Sequence, residues 1–155
     1  MRLTVHIFKN TVGPRMGLFN ANALLITDLT LIIQIIIFIV LAIGLFFKRK
    51  VRYAKHGALM GIAVALHTIS IVAAMVPSFS GFEGSTFLGQ IITIHAIMGI
   101  LVEILGVWLV IAWLLHAKDI KTCTKKKNVM RIIVGLWLLD LILGVYIYVL
   151  LYVPI

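Results

Sequence analysis

The chain has 155 residues, of which 63% are hydrophobic and only 12% are charged, and its mean hydropathy is +1.17. A soluble domain is about 45–50% apolar, so this composition excludes an ordinary soluble protein and indicates that lipid covers much of the surface. The net charge of +9 does not indicate nucleic-acid binding, because most basic residues lie in two short segments between apolar spans, 48–55 and 118–131. Such clusters are typical of topology signals and of contacts with anionic lipids.

The predicted elements begin with residues 1–22, which mix polar and apolar side chains and lack the continuous apolar stretch of a signal peptide. We expect this segment to lie on the outer membrane surface. Four apolar segments follow, long enough to cross the hydrocarbon layer, and we number them spans 1 to 4: roughly 23–47, 53–76, 87–117 and 131–153. Each must be helical inside a bilayer. Short loops join them, so we predict an all-α, up-down-up-down bundle of four transmembrane helices over residues 23–155.

The loops differ in charge, and this difference predicts how the chain crosses the membrane. Five basic residues lie between spans 1 and 2 and six between spans 3 and 4: Lys48, Arg49, Lys50, Arg52 and Lys55, then Lys118, Lys121, Lys125, Lys126, Lys127 and Arg131. The loop 77–86 has no basic residue and one acidic residue, Glu83. By the positive-inside rule, we expect a multi-pass protein of the cell membrane with both termini outside. Three basic residues before span 1 weigh slightly against this orientation.

Glycines in spans 2 and 3 predict close helix packing. Gly57 and Gly61 form a small-xxx-small pair, and Gly99 and Gly106 share one face of span 3. The same positions could alternatively leave room for a flat cofactor. Three tyrosines of span 4 suit an outer interfacial belt: Tyr146, Tyr148 and Tyr152.

Every span carries one polar side chain about 14–21 Å from the inner boundary, at a rise of about 1.5 Å per residue. This polar layer consists of Gln34, His67, Glu103 and Asp140. Two further groups, Asp28 and His95, lie nearer the outer face, and His56 and His116 lie at the inner boundary. Polar side chains at these depths are energetically unfavourable, so each requires a structural or functional reason.

Three interpretations of the polar side chains compete. In the first, they hydrogen-bond between helices and fix the helix register. In the second, Asp28, His95 and Glu103 bind a metal such as copper or iron, with His67 as a fourth ligand. In the third, a b-type haem is held by histidines, with His95, His67 and His56 as the candidates. For His56, which follows Lys55 at the membrane surface, we expect an ordinary solvated position, and ligation is the alternative.

The spacing of the histidines restricts the haem hypothesis. His56 and His67 are eleven residues apart and lie on one helix face, separated by about 16 Å. His95 and His116 are twenty-one residues apart, or about 31 Å. If His56 and His116 lie at the same depth, His67 and His95 cannot, because the two separations differ by about 15 Å. Two axial ligands of one haem must be nearly level, so at most one of these histidine pairs can bind a haem, and a single haem fits better than two. The sequence has no phosphate-binding loop, serine nucleophile motif or HExxH, so we identify no catalytic residue and leave enzymatic activity open.

Five segments together resemble a family of small, uncharacterised four-span membrane proteins of archaea and bacteria that is associated with haem–copper oxidase assembly and respiratory membranes. They are DLTLIIQ (28–34), KHGALM (55–60), MVPSF (75–79), IHAIMGILVEILGVWLV (94–110) and MRIIVGLWLLDLILGVYIY (130–148). The resemblance implies roles for Asp28, Gln34, His56, His95, Glu103, Arg131 and Trp137. The chain departs from the family pattern at His67 and at 76–78, where the family often has a histidine.

The function expected from the resemblance and the polar layer is that of a membrane accessory or assembly subunit of a respiratory-type or other metalloenzyme complex. The alternative is a b-type haem or metal protein that transfers electrons through span histidines. A metal or small-molecule carrier and another kind of membrane enzyme are further alternatives. Membrane lipids and a larger complex, or a homo-oligomer, are the expected partners, and the identity of any cofactor stays open.

Overall fold

The computed structural model of the chain describes residues 25–75, 86–115 and 126–152. Four helices account for almost all of these residues: α1 (Leu25–Arg49), α2 (Tyr53–Ser70), α3 (Phe87–Leu115) and α4 (Lys127–Tyr152). A π-helical turn, Ile71–Met75, continues α2. All four are long and apolar enough to cross a membrane, and the described ranges contain no strand. The prediction of an all-helical chain with four helices able to span a membrane is therefore confirmed for the described residues, whereas the up-down-up-down topology and the orientation of the termini stay predictions.

Local chemistry explains where the helices begin and end. The basic residues Lys48 and Arg49 occupy the last turn of α1, where cations interact favourably with the helix dipole. The chain then turns within residues 50–52, with Val51 in the left-handed region at a φ of 60°, so α1 and α2 are directly joined neighbours. Thr86 caps α3, because its hydroxyl accepts a hydrogen bond from the N–H of Gly89 at 3.1 Å.

Each helix contributes one side chain to the buried centre of the bundle. Ile37, Ala63, Val102 and Trp137 form this core, so α1 to α4 all meet there. The indole of Trp137 also stacks on Phe38, with ring centroids 6.2 Å apart and planes 12° apart. Trp137, which the family resemblance singles out, is thus a packing residue between α4 and α1.

Two of the four predicted glycines lie where α2 and α3 approach closely. A methyl group on Gly106 would come within 3.0 Å of Val64, and one on Gly57 would overlap the indole of Trp113. Gly61 and Gly99 have only ordinary contacts at 3.5–4.0 Å. Close packing therefore explains Gly57 and Gly106, as small-xxx-small positions in membrane helices predict.

The outward faces of the helices are apolar. Large side chains such as Ile39, Ile104 and Ile142 are 51%, 61% and 64% exposed. Exposing so much apolar surface to water is energetically unfavourable, whereas contact with lipid tails is not. The predicted interfacial segment 1–22, the loop 77–85 with Glu83, residues 76–78, His116 and the loop 118–125 lie outside the described residues.

Candidate functional site

The polar layer contains a hydrogen-bonded group between α2 and α3. The Nδ1–H of His67 donates to Oε2 of Glu103 at 2.9 Å, and the hydroxyl of Thr68 donates to the other carboxylate oxygen. His67 is buried, and the side chain of Glu103 is 15% exposed. Both oxygens of the Glu103 carboxylate therefore have donors from α2, as a carboxylate away from water requires.

Two further pairs connect α1 to its neighbours. The amide of Gln34 donates to the hydroxyl of Ser70 on α2 at 3.3 Å. At the other end of α1, Asp28 is completely buried and accepts a hydrogen bond of 2.7 Å from the hydroxyl of Tyr148 on α4. Asp28 and Gln34 therefore bind α1 to both α4 and α2.

His95 and Asp140 form a fourth pair, between α3 and α4. Nδ1 of His95 lies 2.8 Å from Oδ1 of Asp140, which is the distance of an ion pair. The alignment is poor, however, and neither atom has a well-directed hydrogen bond to another described residue. The imidazole packs over Gly144, where a methyl group would come within 3.3 Å of it. Of the four polar pairs, this is the one without a well-directed hydrogen bond.

The four polar pairs form a closed circuit around the bundle. Gln34–Ser70 joins α1 to α2, His67–Glu103 joins α2 to α3, His95–Asp140 joins α3 to α4, and Tyr148–Asp28 joins α4 to α1. The sequence predicted the polar layer but not its partners. It missed Ser70 and Thr68, and it assigned Tyr148 to an interfacial belt without its hydrogen bond to Asp28. Hydroxyl groups within apolar spans are a usable signal for hydrogen bonds between helices.

The predicted metal ligands do not come together. Asp28, His95 and Glu103 each pair with a different residue, as described above. Within residues 25–75, 86–115 and 126–152, no group of three or more His, Cys, Asp or Glu side chains could hold a metal ion. The geometry therefore gives no support to a metal centre built from these three residues.

His56 differs from the other two candidate haem ligands. It is only 2% exposed, so the expectation of a solvated surface histidine is wrong. Its Nδ1 lies 2.9 Å from the carbonyl oxygen of Gly44, and because a carbonyl only accepts, Nδ1 carries the proton. Nε2 is buried and has no hydrogen-bond partner among the described residues. A backbone carbonyl that fixes the tautomer in this way leaves Nε2 available to a ligand.

A cavity of about 250 Å³ adjoins His56. Side chains from all four helices line it, and most are apolar. Lys48 and Arg131 line it near the basic end of the bundle, which we define as the end formed by residues 48–56 and 126–131. His67 and Glu103 line it farther along, about three helical turns from His56. The cavity therefore extends from the basic end toward the polar layer.

Comparisons of the chain with protein-family models, with curated proteins and with solved structures gave no significant match. The family resemblance therefore stays a prediction from the residues that carry it. Two features of the described residues bear on function: the four polar pairs and the cavity beside His56.

Proposed function

We propose that the protein is a small integral-membrane accessory or assembly subunit of a respiratory-type or other membrane metalloenzyme complex. The observation that carries this proposal is the closed circuit of four polar pairs. Six polar side chains of the spans contact another helix in this circuit and so fix the register of the helices: Gln34, His67, Glu103, Asp140, Asp28 and His95. Each such contact between membrane helices contributes about 0.6–2 kcal/mol.

A protein whose polar side chains face one another presents mainly apolar surface to its surroundings. On α3, Ile97, Ile104 and Ile111 follow one another at seven-residue spacing and are 61%, 61% and 49% exposed. Lipid tails and the helices of a larger subunit are both suitable neighbours for such a surface. The family resemblance supports a respiratory complex as the partner. We further propose an up-down-up-down bundle in the cell membrane with both termini outside, following the loop charges.

The test is purification of the tagged full-length chain from the membranes of its own organism in a mild detergent. We expect stoichiometric recovery of the subunits of one metal-containing complex, identified by mass spectrometry, and less of that complex in cells that lack the chain. Recovery of the chain alone, together with unchanged metalloenzyme levels in such cells, would contradict the proposal. A tagged four-span protein of unrelated sequence is the control for nonspecific recovery.

Electron transfer through b-type haem or a metal is the second candidate function, and one observation favours it. Nε2 of His56 is buried at the cavity wall and has no hydrogen-bond partner among the described residues, as an axial ligand would be before it binds iron. His67 and His95 both face carboxylates through Nδ1. The test is an absorption spectrum with metal analysis of the purified protein. A Soret band and α-band that respond to reduction support this candidate, whereas a colourless, metal-free protein excludes it.

A further inference from the structure

We propose that the cavity at the basic end binds one aliphatic chain of a single-chain amphiphile whose anionic oxygen head contacts His56, Lys48 and Arg131. Carboxylate and phosphate heads share this chemistry. The inference goes beyond the accessory role, which it neither requires nor excludes. It competes with haem for the same cavity.

His56 has a buried ring nitrogen beside the cavity. Its ring is fixed by the hydrogen bond from Nδ1 to Gly44, and Nε2 is shielded from solvent with no partner among the described residues. A buried polar atom without a partner is unfavourable, so a ligand group that hydrogen-bonds to Nε2 would be stabilised there. A protonated head could donate to Nε2, and a protonated imidazole could donate to an anionic head. An acidic head group satisfies His56 in both protonation states.

The basic end of the cavity is positively charged. Lys48 and Arg131 line the cavity, and neither forms an ion pair within the part of the chain that the structure describes. The acidic residues of that part all lie in the four polar pairs, away from this end. Other lysines here lie over aromatic rings: Lys50, Lys55 and Lys126. Lys48 and Arg131 therefore make this end of the cavity positively charged, and an anionic group of a ligand would interact favourably with both.

The cavity is long and narrow. It touches both His56 and His67, which are separated by about 16 Å along α2. A volume of about 250 Å³ over that length leaves a narrow space, below the about 300–1,000 Å³ of pockets for compact drug-sized ligands. Its walls between the ends are apolar, with Ile37, Met60 and Val64 among them. Water does not fill apolar cavities, so an aliphatic chain is the matching occupant.

Two tryptophans at the cavity provide a direct assay. Trp113 and Trp137 line it, whereas Trp108 does not. A bromine atom on an aliphatic chain quenches the fluorescence of a tryptophan that it contacts. We would titrate the full-length protein in mild detergent with dibrominated stearate, a brominated alkyl phosphate and a brominated fatty alcohol. We expect saturable quenching by the two anionic probes and at least about tenfold weaker binding of the alcohol.

The variants Lys48→Gln and Arg131→Gln should each weaken binding of the anionic probes by about tenfold, because each removes a charged contact. Lys127→Gln is the matched control, since Lys127 is a basic residue of α4 outside the cavity lining. It should bind as the parent does. Preference for one anionic probe would identify the head as carboxylate or phosphate, and either supports the proposal.

Two results would overturn the proposal. One is equal quenching by the alcohol, or by the anionic probes in the Lys48→Gln and Arg131→Gln proteins, which would show that the head is not recognised. The other is a haem spectrum that His56→Gln abolishes, which would assign the cavity to the second candidate function. Because none of these measurements involves a partner subunit, failure here leaves the accessory role intact.

Discussion

The hydroxyl of Tyr148 donates a 2.7 Å hydrogen bond to Asp28, a residue 120 positions earlier in the chain. This contact joins the last described helix to the first and completes the circuit of polar pairs. The carboxylate of Asp28 is completely buried, so its donors come from the protein itself. The contact between α4 and α1 therefore combines this bond with the stacking of Phe38 against Trp137 and the shared core of Ile37 and Trp137.

Tyr148→Phe should destabilise the bundle, because it removes a donor from the buried carboxylate of Asp28 while keeping the ring. We expect a loss of about 1–3 kcal/mol in the free energy of unfolding, measured by SDS titration of protein in mixed micelles. Tyr146→Phe is the matched control, since Tyr146 is 48% exposed. Equal stability of the two variants would show that the Tyr148–Asp28 bond does not hold the helices together.

Glu103→Gln should have a small effect, below about 1 kcal/mol, because an amide still forms hydrogen bonds with His67 and Thr68. Glu103→Leu should cost about 1–3 kcal/mol, since it leaves the buried ring nitrogen of His67 without its partner. The same SDS titration compares the two variants. A large loss of stability in Glu103→Gln would show instead that the charge of the carboxylate is required, and would weaken a purely structural role.

The sequence predicted the helices well for a physical reason. A segment that crosses lipid must be apolar over about 20 residues and helical, so composition alone locates it. The predicted start of span 2 at Tyr53 and of span 3 at Phe87 coincide with the observed helices. The depth of each polar side chain was calculated from the helical rise, and it stays a prediction.

Rotation of each helix about its own axis was not predictable from one sequence. One sequence does not show which side chains of neighbouring helices face one another, and in α3 the hydrophobic pattern is nearly uniform around the helix. Asp28 was therefore assigned to a metal site, although it faces Tyr148. His56 was expected in solvent, although it is 2% exposed beside Gly44. The cavity depends on these rotations and was not predicted as such, although two glycines that were considered as room for a cofactor, Gly57 and Gly106, line it.

Gly57→Ala should disturb both packing and the cavity, because the added methyl group overlaps the indole of Trp113. Displacing a ring in a packed interface costs about 1–3 kcal/mol. Gly135→Ala is the control, since nothing lies within 4 Å of the added group there. SDS titration measures stability, and tryptophan emission reports movement of the indole. Unchanged stability and emission in Gly57→Ala would contradict close packing of α2 against α3 at this position.

If the purified protein contains haem, His56 is the expected ligand, although the sequence favoured His95. His56→Ala should abolish the Soret band, because Nε2 of His56 alone combines burial, a cavity and the absence of a described partner. His95→Ala should retain the band, since His95 is not among the residues that line the cavity. The helices should insert in both variants. Loss of haem only in His95→Ala would move the site to the other half of the bundle.

The orientation can be tested with the single cysteine of the chain. Cys123 lies in the basic loop between spans 3 and 4, which the positive-inside rule places inside the cell. A membrane-impermeant maleimide should label it only after the cells are permeabilised. The matched control combines Cys123→Ser with Ser85→Cys, which moves the thiol to the loop between spans 2 and 3. That thiol should react in intact cells, and the reverse pattern of labelling would invert the proposed topology.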